Sequence, residues 1–147
     1  MTAHELRLPA VSRRTLADFA TASGDRNALH LDGAAARRAG FDDVIAHGML
    51  GMAYLGRLVT TLAPQSRVRS LRALFVAPIP LGASPCCTAR LVARQEDGSS
   101  RFALAVTIEN GRTVIRGEAT ILPEEAPGKA GGTEDPVPDT DNPVEPP

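Results

Sequence analysis

Gly48-Met49-Leu50-Gly51-Met52-Ala53-Tyr54-Leu55-Gly56-Arg57-Leu58-Val59-Thr60-Thr61-Leu62 decides the fold. The stretch is apolar nearly all round, the pattern of a helix buried on every side. Extended back to Val44 it could be mistaken for a membrane span. His47 and Arg57 interrupt it, however, and three glycines lie inside it, so it lacks the unbroken apolar length a bilayer demands. Pro64 stands just past its end, where a helix has to stop.

Beyond Gln65 the apolar period changes from 3.6 to 2. Leu71, Ala73, Phe75 and Ala77 alternate with more polar neighbours, as do Cys87, Ala89, Leu91 and Ala93, and then Phe102, Leu104, Val106 and Ile108. Asp97-Gly98 and Asn110-Gly111 between these runs are hairpin turns, and a last strand from Thr113 to Leu122 ends at Pro123. Pro78 and Pro80 restrict the first long strand to a sheet edge or end. An antiparallel meander with one buried face needs something apolar to cover it, and only the Gly48–Leu62 helix is apolar enough. The expected architecture is α+β, an antiparallel sheet wrapped around one long central helix.

Ahead of that helix, Glu5 to Pro9 reads as a short strand. Ser12 caps a helix carrying Leu16, Phe19 and Ala20 on one face, which Gly24 stops. Asp25 to Leu31 reads as a polar loop, and Asp32 caps a second short helix through Ala39 that Gly40 ends. Residues 1–122 form one domain in this reading. Residues 123–147 hold seven of the twelve prolines together with glycines and acids, and are expected to be a disordered tail.

The net charge of −1 conceals a division. Seven of the 17 acidic residues and the only lysine fall after residue 122, so residues 1–122 carry 10 acids against 15 arginines, a formal +5. A basic body suits a phosphate-bearing or acidic partner, and solubility alone also accounts for it. No basic stretch is interleaved with aromatics, which speaks against nucleic acid. No basic region followed by an apolar run opens the chain, and Cys86 and Cys87 are adjacent and cannot build a disulfide framework. A cytoplasmic location is the expectation, with no membrane association.

Two short segments could carry chemistry. In Gly24-Asp25-Arg26-Asn27-Ala28-Leu29-His30-Leu31-Asp32, a loop could bring the Asp25 carboxylate and the His30 imidazole to one point, where the acid would keep the His competent as a base. The same spacing also fits an Asx-type turn beside a solvent-facing His. In Ile45-Ala46-His47-Gly48-Met49-Leu50, a glycine opens the buried helix, whose first N–H groups have no partner inside it. With no side chain at Gly48, a ligand oxygen can approach that N–H, and the helix dipole favours developing negative charge there. A glycine present for close packing is the plainer account. For His47, a structural role bonded to backbone outweighs a catalytic one.

Taken together, Gly24-Asp25, Asn27, His30 and Asp32, then Gly40-Phe41, then Ile45 and His47-Gly48-Met49-Leu50 resemble the signature of the MaoC-like family of (R)-specific enoyl-CoA hydratases and fatty-acid-synthesis dehydratases. Phe75-Val76-Ala77-Pro78-Ile79-Pro80-Leu81-Gly82 is similar to a later family motif, and the likeness spans about residues 12–122. It implies a hot-dog fold with an overhanging loop-and-helix segment carrying the active site. It further implies a homodimer, or a heterodimer with a homologous subunit, with the site near the interface. Asp25 and His30 would be the catalytic pair handling water, the Gly48 N–H would hold the thioester oxygen, and Asn27 would help to position the site. The acyl group would arrive on coenzyme A or acyl carrier protein, and no metal or other cofactor is implied. The family's proline after the Asn is Ala28 here. A serine that some relatives place on the helix is Gly56, and a Gly-Asp pair is Gly82-Ala83. None of these departures touches the pair.

The implied reaction is reversible hydration of trans-2-enoyl thioesters to (R)-3-hydroxyacyl thioesters. Three rivals stand beside it: a hot-dog thioesterase directing water with Asp25, a non-catalytic subunit that binds acyl chains or supports a partner, and a plain acyl-binding module. Arg37, Arg38, Arg67, Arg69 and Arg72 are the candidates for contacting the carrier. Asp25 and His30 are too few for a zinc site, and His47 is expected to be held away beside the helix start.

Overall fold

The computed structural model describes residues 3–125. Strand β1 (His4–Arg7) leads into helix α1 (Arg13–Ser23), a single turn α2 (Ala28–Leu31), α3 (Gly33–Arg38) and the long α4 (Gly48–Leu62). Strands β2 (Val68–Phe75), β3 (Cys86–Arg94), β4 (Ser100–Thr107) and β5 (Thr113–Ile121) follow. All five strands form one antiparallel sheet in the order β1-β3-β4-β5-β2, which leaves β1 and β2 at its edges. The expected tail falls, from residue 126 on, outside the described residues, and Pro123 to Glu125 are exposed.

The caps sit where the side-chain chemistry puts them. The Ser12 hydroxyl accepts the Thr15 N–H, the Asp32 carboxylate accepts the Ala34 N–H, and Gly24 ends α1 in the left-handed conformation at φ 78°. Asn110 and Gly111 both take positive φ, 64° and 71°, in the turn from β4 to β5. That double requirement is why Asn-Gly serves there. One expectation is corrected. Asp25 to Leu31 is not loop throughout, because Ala28–Leu31 closes a helical turn with the Asn27 side chain accepting the Leu29 N–H.

Helix α4 lies across the buried face of the sheet. Leu55 and Leu58 are fully buried against inward residues of the strands, among them Cys87, Leu104, Ile115 and Ala119. The approach is close. A Cβ on Gly51 would collide with Ile115 Cδ1, and one on Gly117 would stand 2.7 Å from the Arg72 carbonyl oxygen. Glycine at position 51 lets the helix meet the sheet at this distance, and glycine at position 117 leaves room for the backbone of the neighbouring strand β2. The first turn of α4 thereby comes to rest beside the end of β2, where Phe75 covers Gly48.

Candidate active site

The segment Gly24 to Asp32 overhangs the start of α4, and backbone pairing holds it there. The Ile45 N–H donates to the Leu29 carbonyl at 3.1 Å, and the Ala46 N–H donates to the Ile79 carbonyl at 2.9 Å. Ile45 also bridges to Pro80. One extended stretch before α4 therefore ties the turn carrying His30 to the segment between β2 and β3. At its base, the Arg13 guanidinium meets the Asp43 carboxylate at 2.6 Å. The Val44 N–H foremost, and then Arg13, hold the Asp43 carboxyl below the usual carboxylate range.

The geometry fixes the hydrogen on the His30 ring. Its Nδ1 lies 2.8 Å from the Ile45 carbonyl oxygen, which can only accept, so Nδ1 carries the N–H. The neutral ring then presents a free lone pair at Nε2. That atom stands 3.9 Å from Asp25 Oδ2, with the His30 side chain 11% exposed and that of Asp25 50% exposed. The gap is too long for a direct hydrogen bond, yet one water oxygen could sit about 2.8 Å from both atoms, donating a hydrogen to each. Asp25 Oδ1 is engaged elsewhere, accepting the Asn27 N–H at 3.1 Å. Both sequence readings of the loop thus hold in part: the Asx-type turn exists, but His30 faces inward.

Asn27 caps the turn with its side chain, and its carbonyl accepts the His30 N–H at 3.0 Å, so it shapes the segment. His47 is buried, 1% exposed, as a structural residue would be. Its position is closer to the pair than the sequence indicated. Its ring stacks on His30 with centroids 3.9 Å apart, and its Nε2 lies 3.0 Å from the Asp25 carbonyl oxygen. His47 does stand beside the helix start, as the N-cap residue of α4, and the expectation that this place keeps it from joining Asp25 and His30 is corrected. One ligand-type atom from each of Asp25, His30 and His47 falls within 4.8 Å of the others. With the hydrogen on His47 Nε2 for the Asp25 carbonyl, the lone pair of that ring lies on its buried Nδ1, while Asp25 Oδ2 and His30 Nε2 are the acceptors that face each other.

A cavity of about 300 Å³ opens beside the pair, lined by His30, Gly48, Phe75, Val76, Ile79 and Ile115 among others. The Gly48 N–H, at the first position of α4, has no acceptor among the described residues. One apolar cleft is therefore lined both by the residue that carries the imidazole and by the glycine whose helix-terminal N–H is free. Phe75 entered the sequence reading as an apolar strand position and as part of a motif, not as a residue of the site. Its ring comes within 3.2 Å of where a Gly48 Cβ would stand, a contact between distant segments. None of the five carrier arginines lines this cavity: Arg67 donates to the Leu122 carbonyl, and Arg69 pairs with Asp97.

The fold agrees with the comparisons. Residues 4–112 match the family model described as MaoC like domain. The chain is 32% identical over 110 residues to the mitochondrial 3-hydroxyacyl-[acyl-carrier-protein] dehydratase of Arabidopsis thaliana, covering 71% of this chain and 66% of that protein. An R-hydratase from Pseudomonas aeruginosa superposes with a TM-score of 0.74 at 31% identity, over 84% of this chain and 81% of that one. An (R)-hydratase from A. caviae involved in PHA biosynthesis gives 0.76 at 25%, over 84% and 95%. The chain belongs to the MaoC-like dehydratase family and has its hot-dog fold.

Proposed function

We propose that the protein is a hydro-lyase that adds water to trans-2-enoyl thioesters and removes it from (R)-3-hydroxyacyl thioesters. Family membership and the R-hydratase and dehydratase relatives support the reaction class. The observation that carries it here is the His30 Nε2 lone pair facing Asp25 Oδ2, on a cleft shared with the Gly48 N–H.

The chemistry follows from these positions. A water between Asp25 Oδ2 and His30 Nε2 has both hydrogens engaged and a lone pair free to attack the β-carbon. His30 takes its proton, aided by the Asp25 carboxylate, and delivers a proton to the α-carbon. Between those events, charge gathers on the thioester oxygen, where the Gly48 N–H and the positive end of α4 stabilise it. Asn27 holds the turn that presents His30. The apolar walls from Phe75, Val76, Ile79 and Ile115 take the acyl chain. The carrier is coenzyme A or acyl carrier protein, drawn to the basic body.

The partner in this reading is a second MaoC-like subunit, the same chain or a homologue. Strand β2 is a sheet edge whose Leu74 and Phe75, with Val76 just beyond them, are large, apolar and exposed, as is Met49 at the start of α4. Such an edge invites a partner. Among the described residues, no helix is long and apolar enough to cross a membrane.

A panel of enoyl-CoA esters of increasing chain length, followed by loss of the conjugated-thioester absorbance, tests the reading. Turnover is expected in the native protein, with losses of orders of magnitude in Asp25→Asn and in His30→Ala. The double variant should lose little more than either single one, since the two act as a unit. Release of free thiol in place of hydration would identify a thioesterase. Full turnover in either single variant would remove the pair from the mechanism.

A further inference from the structure

We propose that His47 is a positioning residue for the acid–base pair, holding Asp25 and His30 at the spacing that receives the water. The inference rests on the hydro-lyase reading and adds to it a group that does not touch the substrate.

Three observations converge on it. First, the His47 Nε2–H donates to the Asp25 carbonyl oxygen at 3.0 Å. Among the described residues, this is the only hydrogen bond that ties residues 24–27 to a distant part of the chain. Their other bonds reach no further than the Ala20 carbonyl, Thr21 Oγ1, Ser23 Oγ and the turn itself. Second, the same ring stacks on His30, with centroids 3.9 Å apart and planes at 28°. One rigid imidazole therefore contacts both members of the pair, through its edge on one and its face on the other. Third, His47 Nδ1 is buried without a partner. An unsatisfied buried acceptor disfavours the fold, and a core residue needed only for volume would avoid it as Phe or Leu. The ring is held in turn by Phe19, packed edge-on with centroids 4.9 Å apart. Asp25 itself is half exposed and follows a left-handed glycine, so its own surroundings do little to fix it.

Two substitutions separate the bond from the bulk. His47→Phe keeps a flat ring on His30 and loses the N–H. His47→Gln places an N–H where Nε2 stands and exchanges one unpartnered acceptor for another. Turnover and KM would be measured on an enoyl-CoA substrate, normalised to the folded fraction from circular dichroism. Native turnover that disappears in Asp25→Asn is the baseline. Against it, His47→Phe should lose about 100-fold in kcat with KM nearly unchanged, the scale of a misplacement of about 1 Å. His47→Gln should stay within about tenfold of native, a rescue that a purely space-filling role would not give. A Phe variant as active as the native protein, or Phe and Gln variants losing kcat alike, overturns the proposal. Should His47→Phe fail to fold, the Gln variant decides by itself, and a larger loss or failure to fold there also overturns it. Absence of native turnover overturns the hydro-lyase reading and this inference with it. Native turnover with an active Phe variant overturns the inference alone.

Discussion

Gly48→Pro deletes a single hydrogen-bond donor while leaving the backbone almost as it is. Gly48 is the first residue of α4, where the N–H has no intrahelical acceptor and proline's fixed φ is already suited to the helix. The residue before a proline must be extended, and His47, with φ −56° and ψ 133°, already is. The added Cβ would stand 3.2 Å from Phe75 Cε1, and Phe75 is 48% exposed, so its ring can tilt outward. Gly48→Ala brings the same Cβ and keeps the N–H, which makes it the control for that displacement. Loss of one oxyanion donor costs about 2.7–4 kcal/mol of barrier, or roughly 10²–10³ in kcat. Because the proposed bond would strengthen as charge develops on the thioester oxygen, kcat and kcat/KM should fall together. The comparison is therefore Pro against Ala, by enoyl-thioester absorbance, with thermal melts showing that both variants fold. If the two turn over within about threefold of each other, the Gly48 N–H is not the oxyanion donor, and the charge is stabilised elsewhere.

Other expectations concern fold and carrier. Gly56→Ala, with Leu71 Cδ2 at an ordinary 3.9 Å, should raise stability by about 1 kcal/mol through helix propensity. Gly51→Ala on the same helix should lower stability, because Ile115 is buried and cannot yield; matching thermal shifts would contradict the packing described. Leu55→Ala, at a fully buried position, should cost about 3–4 kcal/mol in chemical denaturation, and a loss below about 1 kcal/mol would show that α4 is not the centre of the core. The Asp43 carboxyl is held below its ordinary 3.8, so its contribution is complete above that pH and lost as pH falls through the folded value; Arg13→Ala should move acid unfolding to higher pH. KM for an enoyl-CoA should climb with salt while kcat holds, since exposed charges are screened within about 8–10 Å at physiological ionic strength. A flat KM would mean that the basic body does not meet the carrier.

The elements legible in the sequence are those whose signal is local. Ser12, Asp32, Gly24 and Asn110-Gly111 each announce a cap or turn through their own side chain or permitted φ, and the even apolarity of residues 48–62 betrays burial on all sides. Helix α2 escaped because four residues are too few to show a 3.6 period, although Asn27 carried a cap signal. The candidate pair was legible as a motif, but its geometry was not. His30 takes its orientation from the Ile45 carbonyl, Asp25 is tethered by a His 22 positions away, and Phe75 arrives over Gly48 from the end of a strand. Carbonyl oxygens have no letter in a sequence, and contacts across such separations exist only once the helix has docked on the sheet.

The contacts that orient this site are largely main-chain ones, and that has a consequence for how it can change over generations. The Ile45 carbonyl, the Asp25 carbonyl and the Gly48 N–H are present whatever side chains stand at most neighbouring positions. The cleft walls, by contrast, are side chains: Ile45, Phe75, Val76, Ile79 and Ile115. Drift in those walls can lengthen, shorten or reshape the space for an acyl chain while the atoms that fix the imidazole stay in place. A scaffold of this kind can acquire new substrates by single substitutions without first having to rebuild its chemistry.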